Sequence, residues 1–181
     1  HIDWKSTAKR RALTVRQFDD TRRTEIALGL ATDTASYGGW QDFELAVSVF
    51  ASVGVRALGE GLKLGAFADR VLSCHTSSAL LDGCCSLERS AIGSDIPRVA
   101  RSLARAAPGA TLIVLVAGGG ASRAMMRAAA VSLPAGARVL AVHTVHGAAS
   151  GVSSTGNLVH LTVGSLRDLA RVAAAAASIA R

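Results

Sequence analysis

Apolar residues follow two alternating patterns along this chain, short uninterrupted runs and longer segments at helical spacing. The run over 24–32 ends on a lone carboxylate, Asp33, and a second run covers 111–117. Short apolar runs bounded by Gly and Ser are typical of strands buried in a parallel sheet. Residues 41–59 instead place their apolar side chains on a helical stripe and predict a helix. Because open α/β sheets bind ligands just beyond the carboxyl ends of such strands, Asp33 marks the first candidate site.

The remaining patterns extend this alternation to the end of the chain. They predict an edge strand over 13–18, strands over 62–68, 138–143 and 157–163, a short antiparallel strand over 71–75, and helices over 77–89, 95–106 and 121–132. Ser94 is expected to cap the helix over 95–106, and Ser165 to form a capping box with Asp168 at the start of a last helix. Residues 144–156 are expected to form a Gly/Ser-rich loop. Strands alternating with helices predict a three-layer α/β fold, a mostly parallel sheet flanked by helices with an antiparallel edge strand.

Composition supports a single domain. The chain has 181 residues, of which 50% are hydrophobic and 4% aromatic, enough for a sizeable core. Its three cysteines, Cys74, Cys84 and Cys85, form no CxxC pair, so we expect free thiols in a reducing compartment, the cytoplasm. No apolar run of about 18 residues is present, so no membrane span is expected within the chain. The first residue is His1 rather than Met, from which we expect a fragment or a processed form of a longer protein.

Positive charge is concentrated at the amino-terminal end. The formal net charge is +7, and residues 1–23 carry seven Lys and Arg against three Asp. Such a segment fits an anionic partner, which could be nucleic acid, a lipid headgroup or an acidic protein face, and it also fits a solvated connector. Because no stacking pattern of aromatic residues is interleaved with the charges, we prefer the connector and do not expect nucleic acid to bind.

Two stretches carry a resemblance to a bacterial family. Residues 1–18 read HIDWKSTAKRRALTVRQF, and residues 42–52 read DFELAVSVFAS. Together they resemble the domain of unknown function 58 family, in which an I-[DH]-W-[KR]-x-[ST]-A-[KR] segment precedes a von Willebrand factor A-like domain. The resemblance implies a family-specific segment over 1–23 and a von Willebrand A-like, Rossmann-like domain over 24–181. It also implies partner binding, with a MoxR-type AAA+ ATPase as the candidate partner because family members are often encoded beside one, and a tether to the inner membrane through upstream segments.

The resemblance further implies a magnesium site that can be checked residue by residue. A von Willebrand A domain commonly binds Mg²⁺ through a D-x-S-x-S loop, a Thr and a second Asp, oxygen ligands that suit a hard cation. Asp33 matches the first Asp, and Ser94 matches the Thr. Ala35, Tyr37 and Gly118 stand at the other three positions, and none supplies a suitable oxygen. We therefore expect a degenerate metal site at Asp33 and Ser94 and no bound cofactor, with a Mg²⁺-dependent ligand-binding domain as the alternative.

The predicted function is a non-catalytic module for protein–protein interaction or scaffolding. The loops over 33–40, 93–95 and 118–122 follow strands or precede helices at the same expected edge of the sheet. The residues expected to contact a partner are Trp4, Lys5, Arg16, Tyr37, Trp40 and Asp95.

A nucleotide-binding protein or an enzyme is the other alternative. Residues 118–120 are three glycines between a strand and a helix, and their amides could cradle a phosphate. However, Arg123 replaces the third Gly of a dinucleotide-binding motif, and no P-loop Gly-Lys-Ser/Thr occurs. His143 and His146 are expected to be ordinary core or surface histidines, and no G-x-S-x-G elbow is present. Enzymatic activity is therefore not expected.

Overall fold

The structure is a computed structural model that describes residues 24–155 and 158–179. The predicted edge strand over 13–18, together with Trp4, Lys5 and Arg16, lies outside the described residues. The strands are β1 Glu25–Leu30, β2 Lys63–Phe67, β3 Val71–Leu72, β4 Leu112–Gly118, β5 Arg138–Thr144, β6 Gly151–Thr155 and β7 Leu158–Val163. The α-helices are α1 Trp40–Gly59, α2 Ser77–Cys85, α3 Ile96–Ala106, α4 Arg123–Ala130 and α5 Leu169–Ile179. Short 3₁₀ turns occupy Thr34–Ser36 and Leu166–Asp168.

The seven strands form one sheet in the order β3-β2-β1-β4-β5-β7-β6. The five inner strands are parallel, and β3 and β6 run antiparallel at the two edges. Helices α1 and α5 cover one face, and α3 and α4 cover the other. The three-layer α/β fold predicted from the sequence is confirmed.

The two apolar runs form the centre of the sheet. Residues 26–30 of β1 and 113–118 of β4 are buried throughout, because helices cover both faces of the strands. The strands pair in parallel register, with Leu28 opposite Val114. Continuous apolar sequence, rather than alternation, is what a doubly covered parallel strand requires.

The connections place a crevice at the carboxyl ends of β1 and β4. The chain leaves β1 through α1 to reach β2 on one side, whereas it leaves β4 through α4 to reach β5 on the other side. The loops after β1 and β4 therefore diverge onto opposite faces of the sheet. This is the topological switch point at which open α/β sheets bind ligands, and the two loops carry Asp33 and Gly118 to it.

Three local predictions are corrected. Strand β6 lies inside the segment predicted as a loop over 144–156, and its five residues, of which only Val152 is a large apolar one, pair antiparallel with β7. The residue that caps α3 is Asp95, whose Oδ1 accepts from the Arg98 amide at 2.9 Å, and not Ser94. Ser165 makes no side-chain cap, because a 3₁₀ turn precedes α5 and Asp168 instead accepts a hydrogen bond from Ser150.

Over residues 24–155 and 158–179, no helix combines the length and the apolar character needed to cross a bilayer. Cys74, Cys84 and Cys85 are free thiols.

The contact between β1 and α3 depends on the absence of a side chain at Gly29. A methyl group there would overlap Val99 and lie 2.8 Å from Leu103 Cδ1. Gly29→Ala is therefore expected to lower the free energy of unfolding by about 1–3 kcal/mol, the usual cost of overpacking a core. Urea denaturation measures the change.

Gly59→Ala is the matched control for this substitution. Gly59 is the last residue of α1, and a methyl group there would meet nothing within 4 Å. Because Ala favours the helix over Gly, this variant should be as stable as the parent protein or slightly more stable. Equal stability of the two variants would contradict the close approach of α3 to β1.

Candidate functional site

Two loops meet by backbone pairing beyond the carboxyl end of β1. The Thr32 amide donates to the Ser94 carbonyl at 2.9 Å, and the Ser94 amide donates to Thr32 Oγ1 at 2.8 Å. The Thr34 amide donates to the Ser90 carbonyl at 3.1 Å. The structure therefore brings Asp33 and Ser94 to the same edge of the sheet, as predicted, although 61 residues separate them in the sequence.

The glycines after β4 lie directly on the 3₁₀ turn after β1. The Gly120 amide donates to the Ser36 carbonyl at 3.1 Å. A methyl group at Gly118 would lie 2.5 Å from the same carbonyl oxygen, and one at Gly120 would overlap the carbonyl of Ala35. Backbone therefore fills the crevice at the switch point.

The carboxylate of Asp33 is used within its own loop. Oδ2 accepts from the Ser36 amide at 3.0 Å, and Oδ1 accepts from Ser36 Oγ at 2.6 Å. Asp33 is thus the N-cap of the 3₁₀ turn. The sequence analysis missed Ser36, although Asp33 is of a residue type that is preferred at N-cap positions.

Tyr37 is a buried support rather than an exposed contact. Its hydroxyl donates to the Ala31 carbonyl at 2.7 Å, and its ring meets Phe43 edge to face at 5.2 Å between centroids. Burial, and next the negative charge of Asp33, raise the pKa of the phenol well above its ordinary value. The side chain is 6% exposed, so Tyr37 is not available to a partner or to a cation in this structure.

These positions do not fit a divalent cation. Asp33 supplies the only carboxylate of the five expected ligand positions, and Ser36 already donates to both of its oxygens. Ser94 Oγ is buried and has no hydrogen-bond partner, so one hydroxyl remains free to act as a ligand. One carboxylate and one hydroxyl leave most of an octahedral shell to water. Over residues 24–155 and 158–179, no cluster of three or more His, Cys, Asp or Glu is arranged to hold a metal ion.

The glycine turn, formed by Gly118, Gly119 and Gly120, is also a poor phosphate cradle. The Gly120 amide is engaged by Ser36, and the Ala121 amide donates to the Gly118 carbonyl at 3.2 Å. Ser122 caps α4 by accepting from the Met125 amide at 3.1 Å. Two of the amides that could bind a phosphate are therefore used to hold the turn.

Trp40 is the most exposed apolar group at this end of α1. It is the first residue of the helix, and 66% of its side chain is exposed. Together with Leu166, which is 42% exposed, and His146 it lines a shallow pocket of about 270 Å³. Asp95, the other predicted contact in the described residues, is exposed beside Ser94.

Asp42, in the first turn of α1, binds the loop after β5. Its Oδ1 accepts from the His146 amide at 2.7 Å, and its carbonyl accepts from Thr144 Oγ1 at 3.0 Å. The loop after β5 is therefore bound to the first turn of α1. Trp40 therefore lies in a helical turn that hydrogen bonds hold to a distant part of the chain.

The two histidines spaced HxxH do not act together. His146 is exposed, whereas His143 is buried and faces His160 from the neighbouring strand β7. The sequence analysis missed this pair, because only the register of β5 and β7 makes the two histidines neighbours.

No family model, curated protein or solved structure matches this chain significantly.

The packing of the glycine turn can be tested at Gly120. Because a methyl group there would overlap backbone rather than a flexible side chain, Gly120→Ala should lower the free energy of unfolding by about 1–3 kcal/mol. Gly151→Ala, where a methyl group would meet nothing within 4 Å, is the control and should leave stability nearly unchanged. Urea denaturation measures the stability of both variants. A Gly120→Ala protein as stable as the Gly151→Ala control would contradict the contact between the glycine turn and the 3₁₀ turn after β1.

Proposed function

We propose that this protein is a non-catalytic interaction or scaffolding module that docks a protein partner at the carboxyl edge of its sheet. The observation that carries the proposal is the exposed side chain of Trp40 beside Leu166. Trp40 belongs to the first turn of α1, which Asp42 binds to the end of β5 and the loop after it. Aromatic residues with a large exposed area on a rigid support are the usual anchors of protein interfaces.

The hydrogen bonds of the edge support an ion-independent function. Asp33 is satisfied by Ser36, and Tyr37 by Ala31, so the turn after β1 is held without a cation. A partner would meet a surface that is already in its binding shape. Preorganisation of this kind lowers the entropic cost of association.

We also propose that the chain is a member of the domain of unknown function 58 family with a von Willebrand A-like domain. The support is the sequence resemblance in residues 1–18 and 42–52 and the position of Asp33 after the central strand β1. On this basis the partner is a MoxR-type AAA+ ATPase, and the domain acts in the cytoplasm, tethered to the inner membrane through upstream segments.

A Mg²⁺-dependent ligand-binding domain is the second candidate. The buried, unpartnered hydroxyl of Ser94 favours it, because a buried oxygen without a hydrogen bond is expected to have a ligand. The single carboxylate at the site, with both oxygens engaged by Ser36, favours the ion-independent module.

Titration with Mg²⁺ and Mn²⁺ separates these candidates. Because only Asp33 and Ser94 remain of the ligand set, calorimetry is expected to show no site-specific heat for the parent protein. Asp33→Ala is the control and should give the same calorimetric titration curve as the parent protein. Micromolar binding that Asp33→Ala abolishes would favour the Mg²⁺-dependent domain.

The docking surface is tested with a purified MoxR-type AAA+ ATPase, the partner class proposed above. Trp40→Ala should weaken binding by about 30-fold, the effect of losing an interface anchor of about 2 kcal/mol. Val131→Ala is the matched control, since Val131 is 85% exposed and follows α4 at the opposite end of the sheet. Calorimetry measures both, and equal affinities for the two variants would exclude this surface.

A further inference from the structure

The two helices on one face of the sheet carry only positive charge. Helices α3 and α4 pack side by side, and neither contains an acidic residue. The whole stretch from Ile96 to Arg167 has no Asp or Glu, and Asp95, which caps α3, is the nearest acidic residue in the sequence. The two helices expose five arginines, which are Arg98, Arg101, Arg105, Arg123 and Arg127.

The spacing of these arginines turns them away from the sheet. Arg98, Arg101 and Arg105 follow one another at helical spacing, so they share one side of α3. The four residues that α3 buries lie on the opposite side, namely Ile96, Val99, Ala100 and Leu103. Arg123 and Arg127 lie one turn apart on the exposed part of α4. Two rows of guanidinium groups therefore border the outer surface of this helical layer.

None of these five arginines forms an ion pair with another residue in 24–155 or 158–179. On the helices of the opposite face, by contrast, Arg56 is paired with Glu60 and Arg171 with Asp168. Like charges one turn apart on a helix repel each other, and a negative partner removes this repulsion. The outer surface of α3 and α4 therefore fits a partner that carries many negative charges.

Aliphatic side chains are exposed beside the arginines. The other exposed residues of α4 are Ala124, Met125 and Ala128, and Val131 follows the helix directly. Met125 is 38% exposed and Val131 is 85% exposed. Neither α3 nor α4 contains an aromatic residue. Arginine can lay its methylene groups along such an apolar surface and keep its guanidinium at the polar boundary.

These features discriminate between three kinds of negative partner, which are nucleic acid, an acidic protein surface and a membrane of anionic lipids. Single strands are usually bound by stacking bases on aromatic rings, which both helices lack. Phosphate contacts dominate the affinity for duplexes, and exposed aliphatic groups add nothing to them. Protein interfaces are usually anchored by Trp or Tyr in a desolvated pocket. A membrane surface uses both features, since its phosphates bind arginine and its interface accepts aliphatic side chains.

We propose that the outer surface of α3 and α4 is a peripheral docking face for a membrane of anionic phospholipids. The five guanidinium groups bind lipid phosphates, for which their planar fork is suited. Met125 and Val131 enter the boundary between headgroups and acyl chains. Helix α1, which carries Trp40, covers the opposite face of the sheet. The inference therefore does not rest on the proposed docking of a protein at Trp40, and either can fail without the other.

Vesicle co-sedimentation with the full chain tests the docking face. Vesicles of phosphatidylglycerol and phosphatidylcholine in equal amounts should bind the protein at about 50 mM salt, where screening is weak. Vesicles of phosphatidylcholine alone should not bind it. Arg98→Gln/Arg101→Gln/Arg105→Gln should lower the partition coefficient by about 100-fold, because each arginine near an anionic surface contributes to binding. Gln keeps the helix propensity of Arg, so the variant is expected to fold.

A second variant tests the other row of arginines independently. Arg123→Gln/Arg127→Gln should lower the partition coefficient by about 30-fold. Unchanged vesicle binding in both variants, each shown to be folded by circular dichroism, would overturn the proposal.

The matched control removes three positive charges from elsewhere on the molecule. Arg56 lies on α1, Arg171 on α5 and Arg167 in the 3₁₀ turn before α5, and all three are exposed. Arg56→Gln/Arg167→Gln/Arg171→Gln should bind the vesicles nearly as tightly as the parent protein. Both triple variants have the same net charge and keep residues 1–23, so the positive charge of that segment contributes equally. Equal losses in the two triple variants would mean that net charge drives binding, and would reject a specific face.

Two further measurements distinguish a membrane from the other negative partners. Val131→Ser removes an aliphatic group without changing the charge, so it should weaken vesicle binding several-fold. Vesicle binding that Val131→Ser leaves unchanged would reject a lipid interface. Duplex DNA and polyglutamate are the competing probes, and either of them binding more tightly than the anionic vesicles would overturn the assignment to a membrane.

Discussion

The glycine turn after β4 lies directly on the backbone of the turn after β1, and the whole carboxyl edge is arranged around this contact. A side chain at Gly118 or Gly120 would overlap the carbonyls of Ser36 and Ala35. The contact therefore requires glycine for its close approach and not for an unusual backbone angle, since neither residue has a positive φ. Backbone of the two turns therefore occupies the crevice of the switch point.

Polar groups that could bind a ligand at this edge are mostly bound to the protein itself. Asp33 is bound by Ser36, Tyr37 by Ala31, and Asp42 by His146. Each of these bonds satisfies a group whose burial would otherwise cost free energy. The hydroxyl of Ser94 is the exception at this site. The large apolar side chain of Trp40, by contrast, is exposed at this edge.

Local pattern was sufficient to predict much of this architecture. The runs that became β1 and β4 were recognised because a strand covered on both faces is continuously apolar. The helix α1 was recognised because its apolar residues recur at helical spacing. Strand β6 escaped prediction, since an edge strand of Gly, Ser and Thr with the single apolar residue Val152 has no apolar repeat. Tyr37 was expected to contact a partner, whereas its hydroxyl donates to the Ala31 carbonyl inside the protein. The position of Tyr37 in a loop gives no sign of that bond.

Sequence alone determined the three-layer fold and the position of Asp33 just beyond a buried strand. These features depend on residue type and on spacing within one element, which the chain carries locally. Tertiary structure decided which distant residues meet. Thr32 bonds to Ser94 across 62 positions and His143 to His160 across 17, because strand register and loop packing bring them together. No periodicity within an element encodes such pairs, and so the histidine pair became visible only in the folded sheet.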